Sequence, residues 1–182
     1  MNNPGKINSK QMIYEYLNYY KIGFEITEHK AVYNMVELSD ISLPYPEVIA
    51  KNLFLRDDKK HNYYLITVKS NKRIDLKAIK RNYGTRPLSL AKEEELRNIL
   101  GLTPGTVTPF GILNDKECKT LFFLDEDFLA SPAIIGIHPN DNTSTVWLKV
   151  EDLLHIIEKH GNKVRIISTL TSNSLIKLQT NN

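Results

Sequence analysis

The sequence predicts a mixed α/β (α+β) domain, and three observations carry that expectation. About six or seven short apolar stretches have strand character, and about four or five longer stretches carry helical periodicity. Several neighbouring strands are separated only by charged or polar turns, which predicts hairpins. The order of strands and helices is irregular, which argues against a doubly wound parallel sheet. At 182 residues the chain is expected to form one domain over residues 10–170, between flexible tails at 1–9 and 171–182. A chain of this length buries about two-thirds of its surface and needs neither disulfide nor metal to fold.

Taken in order, Ser9 can cap a helix from Lys10 to about Ile22, with Met12, Ile13, Tyr16, Leu17 and Tyr20 on one apolar face and Gly23 as its stop. Phe24–His29 alternates like a strand. Ala31–Val36 reads as a connection, and Pro44 and Pro46 preclude a long helix across Ser39–Ile49. Ala50–Arg56 and Tyr63–Val68 read as a hairpin around the charged turn Asp57–Asn62. The unbroken Leu53-Phe54-Leu55 run places the first of these strands inside a sheet. A helix is expected from Asp75 to Tyr83, ended by Gly84. Pro87–Leu90 is extended, and Ala91–Leu100 is a helix whose early glutamates suit its positive dipole end. Further strands are expected at Thr120–Leu124, Ala133–Ile137, Thr143–Lys149 and Lys163–Ile167, with an amphipathic helix over Val150–Lys159 ended by Gly161.

Composition narrows the function classes. A hydrophobic fraction of 41% and a charged fraction of 25% are those of an ordinary globular protein. The single cysteine, Cys118, excludes an internal disulfide framework and a cysteine-based zinc cluster, and fits a reducing cytoplasm. The N-terminus lacks the apolar core of a signal peptide, and no apolar run reaches membrane-spanning length. A net charge of +3 is compatible with a nucleic-acid partner without arguing for one. Dinucleotide fingerprint, P-loop, HExxH and GxSxG motifs are absent.

Three places can carry chemistry. The stretch Gly101–Gly111 holds three of the eight glycines and two of the eight prolines and no charge, so its backbone path is unusual and its main-chain groups are accessible to a small polar ligand. Lys51-Asn52 stands at the mouth of a buried strand, where a lysine either snorkels to solvent or offers a fixed positive charge to a phosphate. His138 ends an apolar strand ahead of Pro139 and Asn140, a position where loop residues often act, with His29 as its weaker rival. The acidic run Asp125-Glu126-Asp127 reads as a solvated turn.

Together, Lys51–Asp57, Gly101–Gly111 and Ile135–Asn140 resemble, in order and spacing, the YbaK/prolyl-tRNA-synthetase editing-domain family of aminoacyl-tRNA deacylases, and within it the free-standing prolyl-tRNA editing proteins. The resemblance runs from about Lys10 to Ile167. It implies a mixed, largely antiparallel sheet of about six or seven strands with flanking helices. It also implies hydrolysis, in trans, of the ester of mischarged tRNA(Pro), with Ala-tRNA(Pro) the leading substrate and no cofactor or metal. The family's lysine, asparagine and histidine fall on Lys51, Asn52 and His138, expected to be catalytic. Its GxxxP loop falls on Gly105, Thr106, Val107, Thr108 and Pro109, expected to bind substrate. In that scheme the terminal 2′-hydroxyl of the tRNA assists the attacking water. The implied partners are the acceptor end of tRNA(Pro) and, beyond it, prolyl-tRNA synthetase; the expected state is a cytoplasmic monomer.

Two other readings use the same residues: a Cys-tRNA(Pro) deacylase of the YbaK branch, and a non-catalytic module that binds aminoacyl-tRNA or an amino acid. Lys69, Lys72, Arg73, Lys77, Lys80, Arg81 and Arg86 form a candidate path for the acceptor stem.

Overall fold

The computed structural model describes residues 6–31 and 42–169. Within them eight strands form two sheets rather than the single sheet expected. The strands are β1 (Phe24–Glu28), β2 (Ala50–Asp57), β3 (Tyr63–Lys69), β4 (Leu88–Leu90), β5 (Thr120–Asp125), β6 (Ile134–Ile137), β7 (Ser144–Lys149) and β8 (Val164–Ile167). The helices are α1 (Lys10–Tyr19), α2 (Leu76–Tyr83), α3 (Glu93–Leu100) and α4 (Val150–His160). Short 3-10 segments lie at Pro46–Val48, Pro109–Asn114 and Glu126–Leu129.

The smaller sheet has the order β1-β7-β6 and is antiparallel throughout. The larger has the order β4-β2-β3-β5-β8. Its β2–β3 hairpin and β2–β4 pair are antiparallel, whereas β3–β5 and β5–β8 are parallel. Parallel neighbours need long crossovers, and the segment carrying α2, β4, α3 and the Gly101–Gly111 loop is the first of them. β2 is an interior strand, as its unbroken apolar run predicts.

Local chemistry sets the ends of these elements. The Ser9 hydroxyl accepts from the Met12 amide at the start of α1. Asp75 does the same for Lys77 and Ala78 at α2. The Glu95 carboxylate reaches back to the Lys92 amide at α3. α1 is shorter than its apolar face suggests, because Lys21 takes a positive φ of 55° and turns the chain into β1. The N-terminal boundary also differs from the expected tail. Ile7 donates its amide to Asn114 Oδ1 at 2.7 Å, and its carbonyl accepts from Asn114 and Asn140, each at 2.8 Å. Residues 1–5, most of the 31–36 connection, part of the 39–49 segment and the 171–182 tail lie outside the described residues. No described helix is long and apolar enough to cross a membrane.

The strands of the larger sheet send alternate side chains to two cores. Phe54 and Leu65 face the main core, with α1, α3, α4 and the 3-10 turn at Phe110 and Ile112. Leu55, Tyr64, Ile66 and Val68 face a smaller core capped by Ile79 of α2. Where the two sheets meet, Ile49 and Gly136 form an isolated parallel bridge. Gly136 lies under the Trp147 ring, which packs edge-on against Tyr45. A Cβ at position 136 would stand 2.2 Å from Trp147 Cζ3, so no side chain fits there. Overpacking of this kind costs about 1–3 kcal/mol. Gly136→Ala is therefore expected to lower stability by about that amount. A lower urea midpoint and an altered emission of Trp147, the single tryptophan, would register it.

Candidate functional site

The site grows out of the bridge between the sheets. Ile49 leads into β2 and Gly136 leads towards the end of β6, and both segments run in the same direction. Asn52 and His138 follow a few residues later on the two sides. The Gly101–Gly111 loop, entered where Gly101 ends α3 with a φ of 69°, passes between them.

Main-chain groups of that loop are the meeting point. Asn52 Nδ2 donates to the Val107 carbonyl at 3.1 Å, while Asn52 Oδ1 accepts from Thr67 Oγ1 at 2.7 Å across the β2–β3 pair. The orientation of the Asn52 amide is thereby fixed. Thr108, fully buried, donates its hydroxyl to the His138 carbonyl at 2.7 Å. Pro109 starts the following 3-10 turn, so its lack of an amide hydrogen leaves no donor unpaired. Gly105 has a φ of 88° and open space where a Cβ would stand. Among the described residues, the amides of Gly105, Val107 and Thr108 donate to no acceptor. Thr108 is closed off, but the amides of Gly105 and Val107 are the kind of donor that a developing negative charge on an acyl oxygen requires. Thr106, between them, is folded back on Thr103 through both its amide and its hydroxyl. A cavity of about 270 Å³ opens beside the loop, lined by Asn52, Phe54, Leu96, Pro104, Gly105 and Val107 among others.

His138 is half-buried, but its Nδ1 is enclosed and has no partner among the described residues. Burial pulls its pKa down to about 4, and a hydrogen bond to the Val107 backbone only partly opposes this. The imidazole is therefore neutral at physiological pH. His29 lies close enough to depress it slightly further, but is itself engaged with Thr145 Oγ1 at 3.0 Å and the Lys30 carbonyl.

Lys51 takes a different place from Asn52. Successive strand residues leave a sheet on opposite faces, so Lys51, paired with Val68, shares the side of Leu53 and Leu55. Its ammonium donates to the Lys72 and Ser70 carbonyls. Burial, followed by the nearby Arg73, lowers its pKa. The structure thus brings Asn52, Val107, Thr108 and His138 together and directs Lys51 to the opposite face of β2.

The acidic run differs from the solvated turn expected. Asp125 is fully buried, and Lys72 bridges it to Asp127 at 2.7 and 2.5 Å. Lys72 is consequently not free for a phosphate. Nor is Arg86, which forms a two-pronged pair with Asp58. Sequence reasoning missed Thr67, whose place opposite Asn52 follows from strand pairing, which a linear motif does not encode.

Comparison with known proteins matches residues 29–156 to the aminoacyl-tRNA editing domain. The chain belongs to that family. It is an aminoacyl-tRNA deacylase by that membership. It is 37% identical over 161 residues to the prolyl-tRNA editing protein ProX of Acetoanaerobium sticklandii, covering 88% of this chain and 98% of that one. It is 30% identical over 148 residues to the prolyl-tRNA synthetase associated domain-containing protein 1 of Mus musculus, covering 79% and 86%. A solved candidate trans-editing enzyme for prolyl-tRNA synthetase shares the fold, with a TM-score of 0.67, 21% identity and coverage of 90% and 97%. The editing domain here is thus the mixed fold that the resemblance implies, divided between two sheets.

Two measurements check the geometry. Thr108→Val should cost about 1 kcal/mol, the net value of one hydrogen bond, read as a lower urea midpoint. For His138, the folded pKa of about 4 lies below the usual 6.5, so the unfolded chain binds more protons in between. The stability it confers is complete above about pH 6.5 and is lost as the pH falls towards 4. Wild type should lose roughly 2–3 kcal/mol more than His138→Asn between pH 7 and 4.

Proposed function

We propose that this editing domain hydrolyses, in trans and in the cytoplasm, the aminoacyl ester of mischarged tRNA(Pro), with Ala-tRNA(Pro) as its main substrate. The observation that carries the reading is the joining of Asn52 and His138 by the Val107-Thr108 segment, with Asn52 on the Val107 carbonyl and the Thr108 hydroxyl on the His138 carbonyl, at a loop where the Gly105 and Val107 amides have no partner among the described residues. The similarity to a protein named as a prolyl-tRNA editing protein supports tRNA(Pro) as the carrier.

An aminoacyl ester is already activated, so the reaction needs a positioned water and a stabilised oxyanion rather than a covalent nucleophile. The amides of Gly105 and Val107, which line the cavity, supply the oxyanion donors. Asn52 holds that peptide segment in place. His138, neutral and enclosed, shapes the pocket and orients the ester, and the terminal 2′-hydroxyl of the tRNA assists the water. Lys51 offers its charge to the phosphate or ribose end of the acceptor strand, because carbonyl dipoles rather than a carboxylate hold it. Lys69, Arg73 and the α2 residues Lys77, Lys80 and Arg81 remain the candidate path for the acceptor stem.

Selectivity follows from size. A synthetic site discriminates weakly against a smaller side chain, since each missing methylene is worth about 0.8 kcal/mol. Editing reverses the problem by excluding what is larger. The Pro104–Pro109 wall suits that task, with alanine admitted and proline refused.

A deacylation panel with Ala-, Cys- and Ser-tRNA(Pro) tests the substrate, with Ala-tRNA(Pro) expected to turn over fastest. Dominant turnover of Cys-tRNA(Pro) would move the protein to the other branch, and binding without turnover would make it a recognition module. Lys51→Ala should lose at least about tenfold in deacylation of Ala-tRNA(Pro), the scale of one charge-assisted contact.

A further inference from the structure

The geometry points to Lys72 as a positioning residue for Lys51: gripped by Asp125 and Asp127, it fixes the turn whose carbonyls hold the Lys51 ammonium. The inference rests on the proposed role of Lys51 and extends it to three residues outside the candidate site.

The chain of contacts is short. Residues 70–72 turn the chain out of β3, with the Ser70 amide donating to the Ile49 carbonyl at 2.8 Å and the Lys72 amide to the Lys69 carbonyl at 3.0 Å. Two carbonyls of this turn, those of Ser70 and Lys72, accept from Lys51 Nζ. A turn at the end of a strand is mobile unless something ties it down. Here the tie is the Lys72 side chain, which crosses to the end of β5. Its ammonium meets Asp125, which is fully buried, and Asp127, which is partly exposed. The same side chain that consumes two carboxylates also keeps them from Lys51.

This arrangement separates two lysines that a sequence treats alike. Lys72 is neutralised by two carboxylates and is structural. Lys51 is held by neutral carbonyl dipoles, and no ion pair compensates its charge among the described residues. Asp125 and Asp127 therefore act on Lys51 only through the turn, and their effect should vanish when Lys51 is absent.

A double-mutant cycle on the full chain tests this. Lys72→Met should lower kcat/KM for Ala-tRNA(Pro) about fivefold or more. Lys51→Ala/Lys72→Met should be no slower than Lys51→Ala alone. Lys72→Arg, which keeps a charge within reach of both carboxylates, should recover most of the loss, and Asp127→Asn should give a smaller one. If Lys72→Met folds poorly, the cycle runs with Asp127→Asn in its place, and urea midpoints separate stability from rate. Multiplicative losses in the double variant would overturn the proposal. So would a Lys72→Met loss alongside an active Lys51→Ala protein. A wild-type protein inert on the whole substrate panel would instead overturn the functional reading, independently of the cycle.

Discussion

Two main-chain contacts organise the candidate site. The Val107 carbonyl receives Asn52 from β2, and the His138 carbonyl beyond β6 receives the Thr108 hydroxyl, so one loop joins residues that are distant in the chain. Side chains could have been brought together in many ways, but a carbonyl accepts along a limited set of directions. Meeting that requirement at both carbonyls fixes the loop path and the tilt of the asparagine amide at once. It also turns the adjacent amides away from internal partners. An editing reaction that relies on substrate groups for proton transfer has most use for fixed dipoles of this kind, which cost no reorganisation as charge develops.

Much of the architecture was legible in the sequence because its punctuation is local. Ser9, Asp75, Gly84, Gly101 and Gly161 mark helix ends, and the strand positions agree with the expected ones to within a residue or two. The division into two sheets was not legible, because it depends on which strands pair. β1 joins β7, far along the chain, and β5 joins β3 in parallel across a long crossover. Neither choice leaves a trace in periodicity. The same applies at the site. The order Lys51-Asn52, Gly105–Pro109, His138 is visible in the sequence, but the alternation of a strand puts Lys51 and Asn52 on opposite faces, and only the fold says which face the loop covers.

Charge shows the contrast most clearly. Asp125-Glu126-Asp127 has the composition of a solvated turn, yet its first member is fully enclosed and paired. A buried carboxylate without a cation is costly, and Lys72 meets that cost at the price of its own freedom. Which lysine is spent and which is left available is therefore a packing outcome, not a property of the residue type.

The parallel bridge between Ile49 and Gly136 has a last consequence. Lys51 stands two residues beyond Ile49, and His138 two residues beyond Gly136, on segments running the same way. The bridge acts as the common origin of two rulers, each read to the same mark. Inserting or deleting one residue on either segment would turn every following side chain to the opposite face, in β2 exchanging Phe54 and Leu55 between the two cores. The spacing of these two stretches is thus metered by peptide units, which tolerate changes of side chain far better than changes of count.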